Sequence, residues 1–303
     1  MKKFLTLVLS ICLLSSNASA GEVKSKTYSN INDFLNSDKF AEYLMNWIPG
    51  EGTTEFSFDF RENHSPGFSI LAVRELLKTN SGNYFTQLSA SMKDDGVNND
   101  YHGNQDERII LNAGFGKRIL LNDNTLMLGI NNFYDYDVWM SHSRIGFGAE
   151  IKSAVVDFNS NYYQKINSGG NAEFVMNGYD YQLKTQVPYV HWVNIFANSY
   201  KWYGKDRDDV EGMKLGGEAQ ITSTLSFLHA YDDKDTSGVT DEWYSKIVFN
   251  WPPKDNVATA ADGISNIAWR ENKDVSDKLL DKVDRVNTIV VEFKGNMTIS
   301  RTD

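Results

Sequence analysis

Five histidines, one cysteine and 40 acidic side chains are the groups in this 303-residue chain that could ligate a metal, activate a nucleophile or move a proton. His64, His102 and His142 fall in polar stretches that read as surface loops, and His191 and His229 in strand-like stretches. None lies at metal-ligand spacing with a second His, Asp or Glu. His191 sits among Tyr189, Trp192, Tyr200, Trp202 and Tyr203, and a Ser–His lipid hydrolase on a barrel wall is one way to use it. Aromatic residues in that density read more simply as a girdle at a membrane interface. Asp235 and the acidic stretches 94–106 and 205–211 offer the oxygen ligands that calcium takes, but not at the spacing of a twelve-residue calcium loop. No catalytic, cofactor or metal residue is therefore expected, and the chain is not read as an enzyme.

A second set of polar residues is defined by periodicity. Over 107–163 glycines and apolar side chains alternate with a period of two, the spacing at which a strand turns successive side chains to opposite faces. One face carries Leu111, Ala113, Phe115, Leu128, Ile130, Tyr134, Ile145, Phe147, Ala149 and Ile151. The other carries Asn112, Arg118, Asn131, Asp135, Asp137, Arg144, Glu150 and Asp157, interspersed with Gly114, Gly116, Gly129, Gly146 and Gly148. Charges of both signs among glycines suit a crowded, wet interior, which is the pattern of a barrel with its apolar face toward lipid. Ion selection is one use for such charges. A mutually neutralised network is the simpler one, because lumen-facing charges avoid lipid and pairing lowers their desolvation cost.

These residues are set in place by strands and by the segments that flank them. Lys2, Lys3, the apolar run Phe4–Leu14 and Ala18-Ser19-Ala20 form a secretory signal over 1–20, too short to span a bilayer. It contains Cys12, so the mature chain of about 283 residues has no thiol and a formal charge near −12. That acidity argues against a nucleic-acid partner. Aromatics reach 13%, with 17 Phe, 15 Tyr and 7 Trp. The segment 21–52 contains apolar residues at helical spacing from Ile31 to Trp47, predicting a helix over 30–48 that Pro49-Gly50 ends.

Twelve strands are predicted at 53–60, 67–78, 83–92, 107–120, 125–138, 143–152, 154–165, 175–186, 189–203, 212–221, 224–232 and 242–251. Nearly all reach the roughly 9–11 residues that a tilted membrane strand needs. The connections sort by parity. Those at 61–66, 93–106, 139–142, 166–174, 204–211 and 233–241 are mostly long and polar, whereas 79–82, 121–124, 153, 187–188 and 222–223 are tight. Loops long at one end and short at the other fit an antiparallel membrane barrel over 53–251, and a soluble sandwich has no reason to produce them. After Trp251, a mixed connector leads to Val275, Leu279, Leu280, Val283 and Val286 at helical spacing, and then to an extended apolar run, Ile289 to Phe293.

Four stretches resemble the β-domain of inverse autotransporters, the intimin and invasin family. They are Ala41–Trp47 with Gly52-Thr53-Thr54-Glu55-Phe56, Asn112–Arg118, the hairpin Met127–Asp137 with Arg144–Glu150, and Lys282–Phe293. The resemblance implies an all-β, twelve-stranded barrel in the bacterial outer membrane with both barrel ends on the periplasmic side. It also implies that 252–293 threads the lumen and exports a C-terminal passenger, usually an adhesive one. In that role Leu279, Leu280, Val283, Asp284, Arg285, Asn287, Ile289, Val291 and Phe293 would form the threading segment, with Lys278, Asp281 and Lys282 also finding charged partners. Only 294–303 comes after it, so the expectation is a translocator whose passenger is missing or truncated. Expected partners are outer-membrane lipid, the barrel-assembly machinery and periplasmic chaperones, without a host receptor. The competing reading is a porin-like open channel.

Overall fold

In the computed structural model, residues 49–62, 64–94, 107–169, 173–236 and 240–293 are described. The signal segment, the helix expected over 30–48 and the terminal stretch 294–303 lie outside them. Alternation of β-branched, aromatic and glycine residues becomes long antiparallel strands. They are β1 (Gly52–Arg61), β2 (Gly67–Thr79), β3 (Gly82–Asp94), β4 (Glu107–Leu121), β5 (Leu126–Asp137), β6 (Ser143–Ser153) and β7 (Val156–Asn167). A three-residue strand, β8 (Glu173–Val175), is followed by β9 (Asn177–Val187), β10 (Val190–Tyr203), β11 (Val210–Gln220), β12 (Leu225–Lys234) and β13 (Glu242–Trp251). The last strand is β14 (Val291–Phe293).

All but β8 and β14 close into one barrel of twelve strands, each paired antiparallel with its chain neighbour. β1 and β13 complete the circle, with Thr54 opposite Trp251 and Arg61 opposite Tyr244. No edge is left, as a sheet in lipid requires. No helix among the described residues is long and apolar enough to cross a membrane. The expected strand 175–186 differs in one respect. Its first residue belongs to β8, which leaves the wall to pair with β14, and the barrel strand starts at Asn177.

At one rim the strands join through tight turns. Asn122, Asp123 and Asn124 all take positive φ (51°, 54° and 64°), which Asn and Asp tolerate best after glycine. Gly82, at φ 155°, approaches the backbone of Arg118 so closely that a Cβ would lie 2.0 Å from its carbonyl oxygen. We call this end the turn rim and the opposite one the loop rim.

Across the wall, side chains sort by parity. In β5, Ile130 is 66% exposed and Tyr134 46%, whereas Met127, Phe133, Asp135 and Asp137 are buried. Glycines make room on the inside. A Cβ at Gly114 would strike the ring of Phe133 at 2.2 Å, and one at Gly116 that of Phe85 at 2.5 Å. Two phenyl rings thus lie flat over glycine backbone inside the barrel, a packing that protects strand glycines.

The lumen and its threaded tail as candidate functional site

The tail first runs along the turn rim. Lys254 N–H donates to the Ser223 carbonyl in the β11–β12 turn. Ser265 N–H donates to the Tyr189 carbonyl, and Tyr189 N–H donates to the Ala268 carbonyl, in the β9–β10 turn. Lys278 Nζ reaches the Ser153 carbonyl of the β6–β7 turn at 2.8 Å, and Val275 N–H reaches Asn124 in the β4–β5 turn. The segment passes the β11–β12 and β9–β10 turns first and then the β4–β5 and β6–β7 turns, like a belt.

It then enters the lumen. The helix implied by the spacing of Val275 to Val286 is reduced to one 3-10 turn, Ser276–Leu280, after which the chain is extended. A helix satisfies its own backbone groups, whereas an extended chain in a closed barrel needs outside partners for them. Inward polar side chains supply these partners. Arg118 Nη1 donates to the carbonyls of Leu279 (2.9 Å) and Asp281 (2.7 Å), and Thr53 Oγ1 to that of Leu280 (3.0 Å). Val283 N–H donates to Gln87 Oε1 at 2.8 Å. Asn161 donates to the Asp284 carbonyl, Arg144 to that of Val286 and Asn112 to that of Asn287, at 3.0, 2.8 and 2.8 Å. Val286 N–H in turn reaches the Tyr163 hydroxyl at 2.8 Å.

Charges are matched along the same path. Lys278 pairs with Asp157 at 2.6 Å, Lys282 with Glu55 at 2.8 Å and Asp284 with Lys184 at 2.9 Å. At the centre Asp135 accepts from Arg144 (2.7 Å) and Arg285 (2.7 Å), all three buried. The Arg285 guanidinium also lies 4.2 Å over the Phe133 ring, and that of Arg118 4.2 Å over Phe85. Arg118 closes a second node with Glu150 at 2.7 Å, where Lys152 joins at 3.4 Å. Apolar contacts fill the gaps: Leu280 and Val283 pack with Leu71, Val73, Phe85 and Phe133, and Val286 and Val290 with Tyr163, Tyr200 and Trp202.

At the loop rim the tail becomes β14 and pairs with β8, Val291 opposite Val175 and Phe293 opposite Glu173. Ile289, Val291 and Phe293 pack with Ile110 and Val175. Glu292 accepts the backbone N–H groups of Lys205 and Asp206 at 2.6 and 3.1 Å. Glu173 is held by Arg108 (2.6 Å) and His142 (2.7 Å), and Arg108 also reaches Asp137, whose carboxylate accepts the N–H groups of Trp139 and Met140. Burial raises the Glu173 pKa, but the hydrogen bond from His142 and the charge of Arg108 outweigh it and bring the pKa down to about 2.

Of the inward residues expected from period two, Asn112, Arg118, Asp135 and Arg144 touch the tail directly, and Asp157 does so through Lys278. Glu150 and Asp137 act on neighbouring arginines, and Asn131 is buried beside Gly148. Gln87, Asn161, Tyr163 and Lys184 also hold the tail and are not among the expected residues, although the same parity carried into β3, β7 and β9 points to them. Two expected girdle residues are corrected. Tyr200 and Trp202 are almost fully buried, because they share the parity of Phe196 and Asn198 and so face inward. His191 meets the Ile267 carbonyl at 3.1 Å and Trp192 donates to that of Gly263 at 2.9 Å, so both bind the belt. Among the described residues no group of three or more His, Cys, Asp or Glu is arranged to hold a metal.

The sequence matches the family model "Inverse autotransporter, beta-domain" over residues 9–226. The chain belongs to this family. It is 27% identical over 214 residues to the inverse autotransporter adhesin YeeJ of Escherichia coli K12, covering 65% of this chain and 9% of that protein. It is 29% identical over 154 residues to Invasin of Yersinia enterocolitica, covering 50% of this chain and 16% of that protein. A solved structure from work on in-meso crystallization of membrane proteins superposes with a TM-score of 0.64 at 20% identity, over 80% of this chain and 99% of that one. That likeness is one of fold. This inverse autotransporter β-domain thus spans only a small fraction of the length of these two relatives.

Proposed function

We propose that this inverse autotransporter β-domain is a translocator that sits in the outer membrane and carries its C-terminal segment through its own lumen to the cell surface. The observation that supports this best is the tail's continuous path from the turn rim to the loop rim, with its backbone groups answered by inward side chains along the way. Both ends of the barrel wall, Gly52 and Trp251, stand at the turn rim, which we assign to the periplasm, and the loop rim to the outside. Adhesin and Invasin are names of relatives whose length lies mostly beyond the region matched here. By extension, the stretch after Phe293 is presented at the surface, where an adhesive segment would act. No step in this role is catalytic.

Topology tests it. Single cysteines at Asp235 or Lys294, in a Cys12→Ser background, should react with an impermeant thiol reagent on intact cells. Cysteines at Asn122 or Ser223 should react only after the outer membrane is opened. The reverse pattern would exclude this orientation, and a Lys294 site protected on intact cells would exclude export of the tail.

A further inference from the structure

The belt is charged at both ends and almost neutral in the middle. Lys254 and Asp255 open it, and Arg270-Glu271-Asn272-Lys273-Asp274 closes it. Between them Ala260–Trp269 carries one charge, Asp262, whose carboxylate folds back to accept from Thr259 N–H (2.7 Å) and Thr259 Oγ1 (3.2 Å). The stretch is pinned by both backbone groups of Tyr189 and by the Trp192 indole. Yet Ile264 is 80% exposed, and Ile267 and Trp269 are exposed beside the exposed Tyr189. A held backbone that presents two isoleucines, a tryptophan and a tyrosine to the outside keeps apolar area in contact with water that burial would remove.

The position of the strip identifies its occupant. Tyr189 sits in the turn that joins β9 and β10, and the outward residues of those strands, Tyr181, Leu183 and Ile195, belong to the exposed apolar band of the barrel. Through its backbone bonds to Tyr189 the strip adjoins that band at the end of the wall, where the edge of a bilayer around the barrel would lie. Tryptophan and tyrosine concentrate at that level. We infer that Ile264, Ile267 and Trp269 form a foot that docks on the phospholipid interface of the leaflet at the turn rim. The first part of the tail is thus held against the membrane while the rest threads the lumen.

The test uses the full chain with Cys12→Ser, reconstituted into phosphatidylcholine vesicles. Single cysteines Ile264→Cys, Trp269→Cys, Asp255→Cys and Ile130→Cys are labelled with an environment-sensitive fluorophore, and phospholipid spin-labelled at the headgroup or shallow in the chain serves as quencher. Labels at 264 and 269 should emit to the blue of the label at 255 and be quenched at least twofold more strongly. Quenching equal to that at 255 would overturn the inference. So would a blue shift without lipid quenching, since protein would then cover the strip. Ile130 faces lipid in the barrel wall, so a quenched label at 130 with an unquenched one at 264 defeats the foot alone. If neither is quenched, the membrane-embedded barrel itself is in question.

Discussion

The two halves of the lumen wall treat their charges differently. Along β3 to β7 the inward groups aim at the tail: Gln87, Asn112, Arg118, Arg144, Asn161 and Tyr163 bond its backbone, and Asp135 its Arg285. Around β1 and β11 to β13 most ion pairs run from strand to strand, with Lys93 of β3 joining in and Glu55 meeting a charge of the tail, Lys282. Asp59 lies between Lys246 (3.1 Å) and Lys93 (3.4 Å), Glu242 between Arg61 (3.0 Å) and Lys234 (2.7 Å), and Asp232 accepts from Tyr200 at 2.8 Å. A cavity of about 120 Å³ separates this half from the tail, lined by Lys214, Tyr244 and Lys246 on one side and Asp284 and Arg285 on the other. One half therefore completes its hydrogen bonding only when the tail is present. The other pairs most of its charges within the wall and meets the tail chiefly through Thr53 and Glu55.

Removing the tail breaks this asymmetry most severely. Truncation after Trp251 should let the wall form but leave Arg118, Asp135 and Arg144 facing an open lumen. Single-channel conductance in planar bilayers should rise well above that of the full chain. Equal conductance would mean that the tail does not close the pore and would put the porin-like reading first.

Point substitutions separate the halves. Asp135→Ala removes the carboxylate shared by two buried arginines, one of them on the tail, and Asp59→Ala removes the carboxylate between two lysines of the wall. Breaking a buried pair by removing one partner costs about 3–5 kcal/mol, so both variants should unfold at lower denaturant concentration. Only Asp135→Ala should also raise conductance, because only it loosens the tail. If Asp59→Ala opens the pore as much, the halves are not independent.

The same contrast exists through the thickness of the wall. Ile130 and Asn131 are neighbours in β5, one 66% exposed on the outside and the other buried within. Arginine at a lipid-facing midplane position costs about 2–4 kcal/mol in a barrel. Ile130→Arg should therefore depress folding into liposomes more than Asn131→Arg, whose guanidinium enters a polar lumen. Equal yields would contradict the face assignment.

Much of this is legible in the sequence because period two and loop parity are local signals. The twelve strands lie where alternation puts them, to within a few residues, and the central hairpin shows its faces directly. The conformation of the tail is not legible in the same way. Val275, Leu279, Val283 and Val286 recur at helical spacing, but the lumen offers donors and acceptors in fixed places, and an extended chain meets them where a helix would turn its backbone inward. The pairing of Asp135 with Arg285, 150 positions away, depends on how deep the tail enters, which no local pattern encodes. Tyr200 and Trp202 mislead for a related reason. An aromatic-rich strand suggests an interface, and only the parity of the whole strand shows that these two fill the lumen.

A smaller effect is expected at the loop rim, where β14 rests on β8. Glu173 is held there by Arg108 and His142, with its pKa lowered from 4.5 to about 2. A carboxylate depressed in the folded state contributes stability above its unfolded pKa and loses it as pH falls toward the folded value. The window is thus pH 4.5 down to about 2, with about 2 kcal/mol lost by pH 3. Since Glu173 belongs to β8 and not to the barrel wall, the loss should be local. Amide exchange at Val291 and Phe293 should accelerate roughly tenfold or more between pH 6 and pH 3 after correction for intrinsic rates. Exchange at Phe133 in the wall should change much less. Glu173→Gln, which cannot titrate, should remove most of that acceleration while already exchanging faster at pH 6. If the parent and the variant respond to acid alike, Glu173 is not the group that fastens the end of the tail.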